Sequence, residues 1–208
     1  GTIIVTATIT PEEIRSAYEI AKKNNIKMID SPVSGGLQGA HEGTLTLMSA
    51  ADKNVFKSCK NILTAISKDI FHVGENIGDG QMVKASLQVF IGATFTAIFE
   101  SLVLGSKAGI DGKTLYDVFS SSGVSSPLFK NCAKLIMDRK FENTGSHIST
   151  MYKDLGISMG MAKEIGVPMF TASAAFELFQ AGISSYPEGD NWSIVKVLEK
   201  MSNTKVEW

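Results

Sequence analysis

The chain has 208 residues, a formal net charge of −1 and two cysteines, and 44% of its residues are hydrophobic. This length allows one large or two small globular domains. Because the net charge is close to zero and no long basic run is present, nucleic acid and membrane surfaces are not expected as partners. Cys59 and Cys132 are too far apart for a disulfide framework and the histidines are scattered, so no metal site is predicted and a cytosol-like compartment is expected.

The beginning of the chain predicts a strand, a helix and a second strand. Residues 2–6 are apolar and β-branched, which is typical of a buried strand in a parallel sheet. Thr10 and Pro11 predict the start of a helix that continues to about residue 24. The residues of this helix expected to face inward are Ile14, Tyr18, Ile20 and Ala21. A second strand at residues 26–30 completes a βαβ unit, which implies parallel pairing and a right-handed crossover.

Polar segments follow both strands, at the carboxyl ends where sheets of this kind bind ligands. The first segment contains Thr8, and the second, residues 31–36, ends in Ser34, Gly35 and Gly36. Paired glycines can turn backbone N–H groups towards one point and so form a cradle for an anion, to which Ser34 adds a hydroxyl donor. A turn that needs glycine only for its geometry fits the pattern equally well.

Strand signals end near residue 75. A strand at residues 45–49, an amphipathic helix at 52–66 and a last strand at 70–74 precede that point. The core-facing residues expected in the helix are Val55, Phe56, Ile62 and Leu63. Beyond it the pattern is helical throughout, which predicts a domain boundary near residue 75. After a first long helix, shorter helices are expected at 114–121, 126–138, 151–165, 171–181 and 192–201.

Residues 78–109 predict one long helix of about eight turns. Asp79 can cap its start, and Gly109 marks its end. Apolar residues point in every direction, so this helix is expected to be buried on most sides of a protein core. Threonines interrupt the apolar run, which is too short for the ~20 apolar residues of a bilayer span.

Two polar residues, Lys84 and Gln88, interrupt the long helix and share one face because they are four positions apart. Burial lowers the pKa of a lysine towards the range in which it exchanges protons near neutral pH. Alternatively, Lys84 extends its aliphatic stem along the helix and keeps its ammonium in water. The spacing alone leaves both possibilities open. The cofactor fingerprint G-x-G-x-x-G is not met, since Val83 stands where the third glycine is needed.

Four segments, in order, resemble motifs of the β-hydroxyacid dehydrogenase family, which includes 3-hydroxyisobutyrate, tartronate semialdehyde and L-threonate dehydrogenases. Residues 8–11 resemble its S-T-x-x-P nicotinamide loop, and residues 30–36 its D-x-P-V-S-G-G substrate loop. Residues 78–84 resemble its G-x-G-x-x-x-K segment, and residues 153–156 its K-D-L motif. The resemblance covers the whole chain. Taken alone, Lys153-Asp154 is more typical of an ordinary surface pair on a helix.

The resemblance implies the fold. It predicts an α/β remnant of a Rossmann-like dinucleotide-binding domain at residues 1–75, joined by a long central helix to an all-α substrate and dimerisation domain at 76–208. Family members carry further residues, with the first βαβ units and the fingerprint loop, before the position that matches Gly1. A homodimer or higher homo-oligomer is expected, in the cytoplasm or in mitochondria.

The resemblance also implies a site and a reaction. NAD or NADP would exchange a hydride with a small β-hydroxyacid or with its semialdehyde or keto acid. Lys84 would be the general acid/base, and Gln88 would hold the same end of the substrate. The substrate carboxylate would be bound by Ser34, Gly35 and Gly36. The cofactor would be contacted by Thr8 and Lys153.

Three positions depart from the family pattern and bear on the substrate. Gln88 stands where asparagine is usual, Leu87 replaces a common polar residue, and Gly160 replaces an aspartate. The longer amide of Gln88 implies a different or roomier substrate. A second hypothesis, of another class, is a non-catalytic oligomerisation or scaffold protein built on the same helices, without a complete dinucleotide site.

Overall fold

A computed structural model describes residues 1–208. The first part of the chain alternates strands and helices: β1 (Thr2–Val5), α1 (Pro11–Lys23), β2 (Lys27–Asp30), β3 (Val33–Ser34), α2 (Gly36–Glu42), β4 (Leu45–Ala50), α3 (Lys53–Ile66) and β5 (Ser67–Gly74). The rest is helical: α4 (Asp79–Lys107), α5 (Gly112–Ser121), α6 (Pro127–Met137), α7 (Ile148–Ile165), α8 (Phe170–Ser185), a 3-10 turn (Asn191–Ile194) and α9 (Val195–Ser202). The α/β class with an all-helical second part is therefore confirmed. The sequence pattern missed β3 and α2, and the last predicted helix is a 3-10 turn followed by α9.

The residues form two packing units. One contains Gly1–Gln88 and Gly160–Gly166, and the other contains Val89–Met159 and Val167–Trp208. Helix α4 begins in the first unit and ends in the second, so the packing changes inside a helix. The domain division into residues 1–75 and 76–208 stays a prediction.

The sheet of the first unit is mixed. Strand β1 pairs in parallel with β2, which confirms the predicted βαβ unit. Strand β4 is parallel to β5 but antiparallel to both β2 and β3. The chain turns back after β2, so that β2 and β3 pair with β4. As a result, only two pairs of strands keep the parallel arrangement that the sequence predicts.

Strand β1 is less buried than its apolar sequence predicts. Thr2 and Ile3 are exposed, and the side chain pattern becomes half-buried only at Ile4 and Val5. The expectation of a buried strand is wrong here, because β1 pairs with β2 alone and forms an edge of the sheet. A strand at the edge of a sheet has a neighbouring strand on one side only, so its residues are less shielded from solvent than those of a central strand.

Helix α1 begins as its sequence predicts. The Thr10 hydroxyl accepts a hydrogen bond from the Glu13 N–H at 3.2 Å, and the Thr10 N–H donates to the Glu13 carboxylate at 2.8 Å. This capping box satisfies amides that the first turn leaves unpaired. Ile14 and Ala21 are buried, but the predicted burial of Ile20 is wrong. Ile20 lies six positions after Ile14 and therefore on another side of the helix. The predicted burial of Ile62 in α3 is wrong as well, because Ile62 lies six positions after the half-buried Phe56 and faces another side.

Helix α4 is a continuous helix, but it is not buried on most sides. Only 44% of its most apolar stretch is buried, and Phe90 and Leu104 are 69% and 73% exposed. The expectation of burial on most sides is wrong for this chain, because the core of the second unit covers only one face of the helix. That core includes Phe95, Phe99, Leu102, Ile136, Ile148, Leu155 and Phe179. By length and composition alone α4 could also cross a membrane, a test that core helices of globular proteins pass as well.

Candidate active site

The start of α4 lies directly against the carboxyl end of β2. A Cβ atom added to Gly80 would lie 2.6 Å from the Met48 carbonyl oxygen and 2.9 Å from the Asp30 carbonyl oxygen. Both distances are shorter than side-chain carbons tolerate, so only glycine lets the helix approach so closely. Gly80 therefore fixes the position of the first turns of α4 on the sheet.

Asp30, the last residue of β2, anchors the same helix end through its buried carboxylate. One oxygen accepts hydrogen bonds from the N–H groups of Gly78 at 3.0 Å and of Gln81 at 3.3 Å. Amides at the start of a helix attract negative charge, so this contact stabilises the helix end. Burial raises the pKa of the Asp30 carboxyl, and the hydrogen bonds from Gln81 and the backbone amides oppose that rise.

Gln81 connects this anchor to the loop after β1. Its side-chain oxygen accepts a hydrogen bond from the Ile9 N–H at 3.1 Å, and its side-chain nitrogen donates to the Ala7 carbonyl at 3.1 Å and to the Asp30 carboxylate at 2.7 Å. Thr8, the predicted cofactor contact, lies half-buried between Ala7 and Ile9. The sequence analysis gave no role to Asp30 or Gln81. Their only signal was position, because Asp30 begins the segment that resembles the substrate loop and Gln81 lies inside the lysine motif.

Lys84 is buried, with 6% of its surface exposed, and so is Gln88 to the same extent. Lys84 lies one turn after Gly80 and Gln88 one turn later, on adjoining positions of the face that packs inward. This degree of burial does not fit the alternative of a mostly exposed Lys84 whose stem lies along the helix surface. Buried lysines are paired or have a chemical function, because an isolated buried charge is costly.

Ser34, Gly35 and Gly36 form the turn between β3 and α2. Ser34 is half-buried and pairs with Thr46 of β4, whereas Gly35 and Gly36 are exposed. Both glycines have positive φ angles, 127° and 62°, which other residues adopt only with strain. No side chain caps the start of α2. The turn therefore needs glycine for its geometry, and both glycines are accessible to solvent.

Lys153 lies in the second packing unit, on α7. Its side chain is 51% exposed, and its ammonium lies 2.9 Å from the carboxylate of Asp154, which is buried. The other predicted site residues, among them Thr8 and Lys84, belong to the first unit. The sequence analysis quoted Asp154 in a motif but gave its buried carboxylate no role.

Polar loops follow β1 and β2 at their carboxyl ends, and a buried lysine lies on the helix that packs there. This arrangement fits the class of oxidoreductases that use a nicotinamide dinucleotide. The loop after β1 is accessible to a ligand, because Thr6 and Ala7 at its start are exposed. No G-x-G-x-x-G loop for the pyrophosphate occurs in the 208 residues.

Two family models match the chain. One, described as the NAD binding domain of 6-phosphogluconate dehydrogenase, matches residues 1–74. The other, described as NAD-binding of NADP-dependent 3-hydroxyisobutyrate dehydrogenase, matches residues 78–198. The chain belongs to the β-hydroxyacid dehydrogenase family, as its motifs indicate, and the cofactor of the family is NAD or NADP.

Individual relatives agree with this assignment. The chain is 34% identical over 209 residues to 2-(hydroxymethyl)glutarate dehydrogenase of Eubacterium barkeri, covering 99% of this chain and 69% of the relative. It is also 34% identical over 202 residues to a probable mitochondrial 3-hydroxyisobutyrate dehydrogenase of Dictyostelium discoideum, covering 94% and 63%. A crystal structure of 3-hydroxyisobutyrate dehydrogenase from Salmonella typhimurium superposes with a TM-score of 0.87 at 26% identity, covering 94% and 69%. The chain thus spans about two thirds of the length of these relatives.

Proposed function

We propose that this protein transfers a hydride between NAD or NADP and a small β-hydroxyacid or the corresponding semialdehyde or keto acid. The observation that carries the proposal is the burial of Lys84 on the helix that Gly80 and Asp30 fix to the sheet. A cytoplasmic location is proposed with it, and the mitochondrion is the alternative, since one relative is named as mitochondrial.

Lys84 is the proposed general acid/base. In the oxidation direction its neutral amine accepts the proton of the substrate hydroxyl, and in the reduction direction its ammonium returns that proton to the carbonyl oxygen. When bound, the nicotinamide ring supplies the hydride or accepts it.

The substrate is proposed to be a small carboxylate. The relatives named above are called dehydrogenases of 2-(hydroxymethyl)glutarate and of 3-hydroxyisobutyrate, which both combine a hydroxyl with a carboxylate. Ser34 and the backbone N–H groups of Gly35 and Gly36 are proposed to bind that carboxylate, and Gln88 is proposed to hold the hydroxyl end. Thr8 and Lys153 are the proposed contacts of the cofactor.

The direct test is an assay of the full-length protein that follows NADH or NADPH absorbance with a panel of small hydroxyacids. We expect turnover with at least one member of the panel and saturable quenching of cofactor fluorescence. The scaffold hypothesis predicts neither signal. Absence of cofactor binding in the full-length protein would therefore favour the scaffold.

Replacing Gln88 by leucine, which has a similar volume, is expected to raise the KM for the hydroxyacid. Loss of one hydrogen bond corresponds to roughly a threefold to tenfold change. The maximal rate is expected to change less, because the amide binds the substrate before and during the reaction. Steady-state kinetics of Gln88→Leu measure both quantities, and Thr94→Ala, farther along the same helix, serves as the control. An unchanged KM would remove Gln88 from the substrate site.

A homodimer is proposed on the basis of the uncovered face of α4. Phe90, Ala97 and Leu104 are exposed and spaced seven residues apart, as in helices that pair with one another. Light scattering is expected to give about twice the chain mass of 22.3 kDa. The double substitution Phe90→Glu and Leu104→Glu is expected to give a monomer. Val118→Glu, at an exposed position of α5, is expected to leave the dimer intact. A monomeric wild-type protein would refute the proposal.

A further inference from the structure

Gln81 has every polar atom of its side chain engaged. It is 1% exposed, its oxygen accepts from the Ile9 N–H, and its nitrogen donates to the Ala7 carbonyl and to the Asp30 carboxylate. A side-chain amide has two N–H donors, and both have a partner here. A buried amide with such complete pairing holds its partners in one geometry, because breaking any bond leaves a buried polar group unpaired.

The two backbone groups held by Gln81 lie on either side of Thr8. The Ala7 carbonyl precedes Thr8 and the Ile9 N–H follows it, so the amide of Gln81 pairs with the loop as a neighbouring strand would. This fixes the orientation of both peptide groups next to Thr8. Thr6 and Ala7 are exposed, so packing of side chains alone holds this part of the loop weakly.

The other end of the connection is equally defined. Asp30 binds the Gln81 side chain and also the N–H groups of Gly78 and Gln81 at the start of α4. Lys84 follows Gln81 by three residues, which is less than one turn of the same helix. Gln81 therefore joins three segments: the loop that carries Thr8, the end of β2 and the helix that carries Lys84.

We propose that Gln81 is a positioning residue that holds the cofactor-facing loop around Thr8 in a fixed place relative to the helix of Lys84. The inference rests on the proposed function. Gln81 itself touches neither the cofactor nor the substrate in this account. Its loss is expected to weaken cofactor binding because the loop must then be ordered when the cofactor binds.

Two variants separate this role from simple support of the fold. Gln81→Met keeps the size of the side chain and removes all three hydrogen bonds. The double variant Asp30→Asn with Gln81→Glu exchanges donor and acceptor, so that the amide of residue 30 can donate to the carboxylate of residue 81. The contact between β2 and α4 is then rebuilt, but the Ala7 carbonyl faces a carboxylate that has no proton to donate. Ser86→Ala, exposed on the same helix, is the control.

Amide exchange provides a readout without cofactor. In Gln81→Met the Ile9 amide is expected to exchange roughly fivefold to tenfold faster, as loss of one hydrogen bond predicts, while amides in the middle of α4 stay protected. The NADH dissociation constant of the full-length protein is expected to rise by a similar factor of roughly five to ten in both variants. The melting temperature of the double variant is expected to lie closer to wild type than that of Gln81→Met.

Three results would overturn the inference. The first two are a wild-type exchange rate of the Ile9 amide in Gln81→Met and a wild-type NADH affinity of that variant. The third is a wild-type NADH affinity of the double variant, which would mean that Gln81 only stabilises the start of α4. If Gln81→Met does not fold, the affinity of the double variant decides. Failure of the proposed function is measured separately. Wild-type turnover of Lys84→Ala would disprove the role of Lys84, but it would not change the exchange rate of the Ile9 amide that is expected in Gln81→Met.

Discussion

Lys84→Ala is expected to lower the turnover of the full-length enzyme by about 10² or more, the usual scale for loss of a general acid or base. The amine sits on a helix fixed to the sheet by Gly80, and only 6% of its residue surface is exposed. Water therefore has limited access to replace it as a proton acceptor. The measurement is the steady-state turnover number in both reaction directions, with the melting temperature as a check of folding.

Two further substitutions sharpen the test of Lys84. Lys84→Arg retains a positive charge but not a group that gives up its proton near neutral pH, since arginine stays protonated in proteins. If Lys84 transfers a proton, this variant is expected to lose turnover as severely as Lys84→Ala. If Lys84 only attracts an anionic substrate, Lys84→Arg is expected to keep much of the activity. Lys107→Ala, at the exposed end of the same helix, is expected to be neutral, and wild-type turnover in Lys84→Ala would disprove the assignment.

Local sequence signals predicted the elements whose formation depends on neighbouring residues. Thr10 and Pro11 marked the start of α1, and the structure adds a capping box between Thr10 and Glu13. The same reasoning missed β3 and α2, because glycines in that region suppress both strand and helix signals and the pairing of β3 depends on β4. The misplacement of Ile20 has a similar origin, since hydrophobicity alone does not state which helix face meets the sheet.

The candidate site was predictable in part. Lys84 was conspicuous as a charge in an apolar helix, and the motif order indicated the family. The roles of Asp30 and Gln81 were not predictable, because their partners are remote in sequence: Ile9 and Gln81 are 72 positions apart. Such contacts arise only when the sheet and helix have formed, and no local pattern encodes them. Residues that position a catalytic group therefore need a structure to be recognised.

The second large effect is expected at Gly80. Gly80→Ala is predicted to lower the free energy of unfolding by about 1–3 kcal/mol, the usual cost of forcing an extra carbon into a packed interior. The added Cβ would lie 2.6 Å from the Met48 carbonyl oxygen and 2.9 Å from that of Asp30. Both are backbone atoms of strands in the sheet, so neither can move aside as the end of a flexible side chain can. Denaturant unfolding measures this difference.

Gly160→Ala is the matched control for Gly80→Ala. Gly160 also lies within a helix, but a Cβ added there meets no atom within 4 Å. Alanine is therefore expected to stabilise α7 by about 0.5–1 kcal/mol, the difference between glycine and alanine in a helix interior. If the free energy of unfolding falls in Gly80→Ala and rises in Gly160→Ala, the loss at Gly80 is due to its close contact with the sheet and not to alanine as such. Wild-type stability of Gly80→Ala would contradict that close contact. Because Lys84 follows Gly80 by one turn, the displaced helix is also expected to lower turnover, which links the packing of one glycine to the proton transfer.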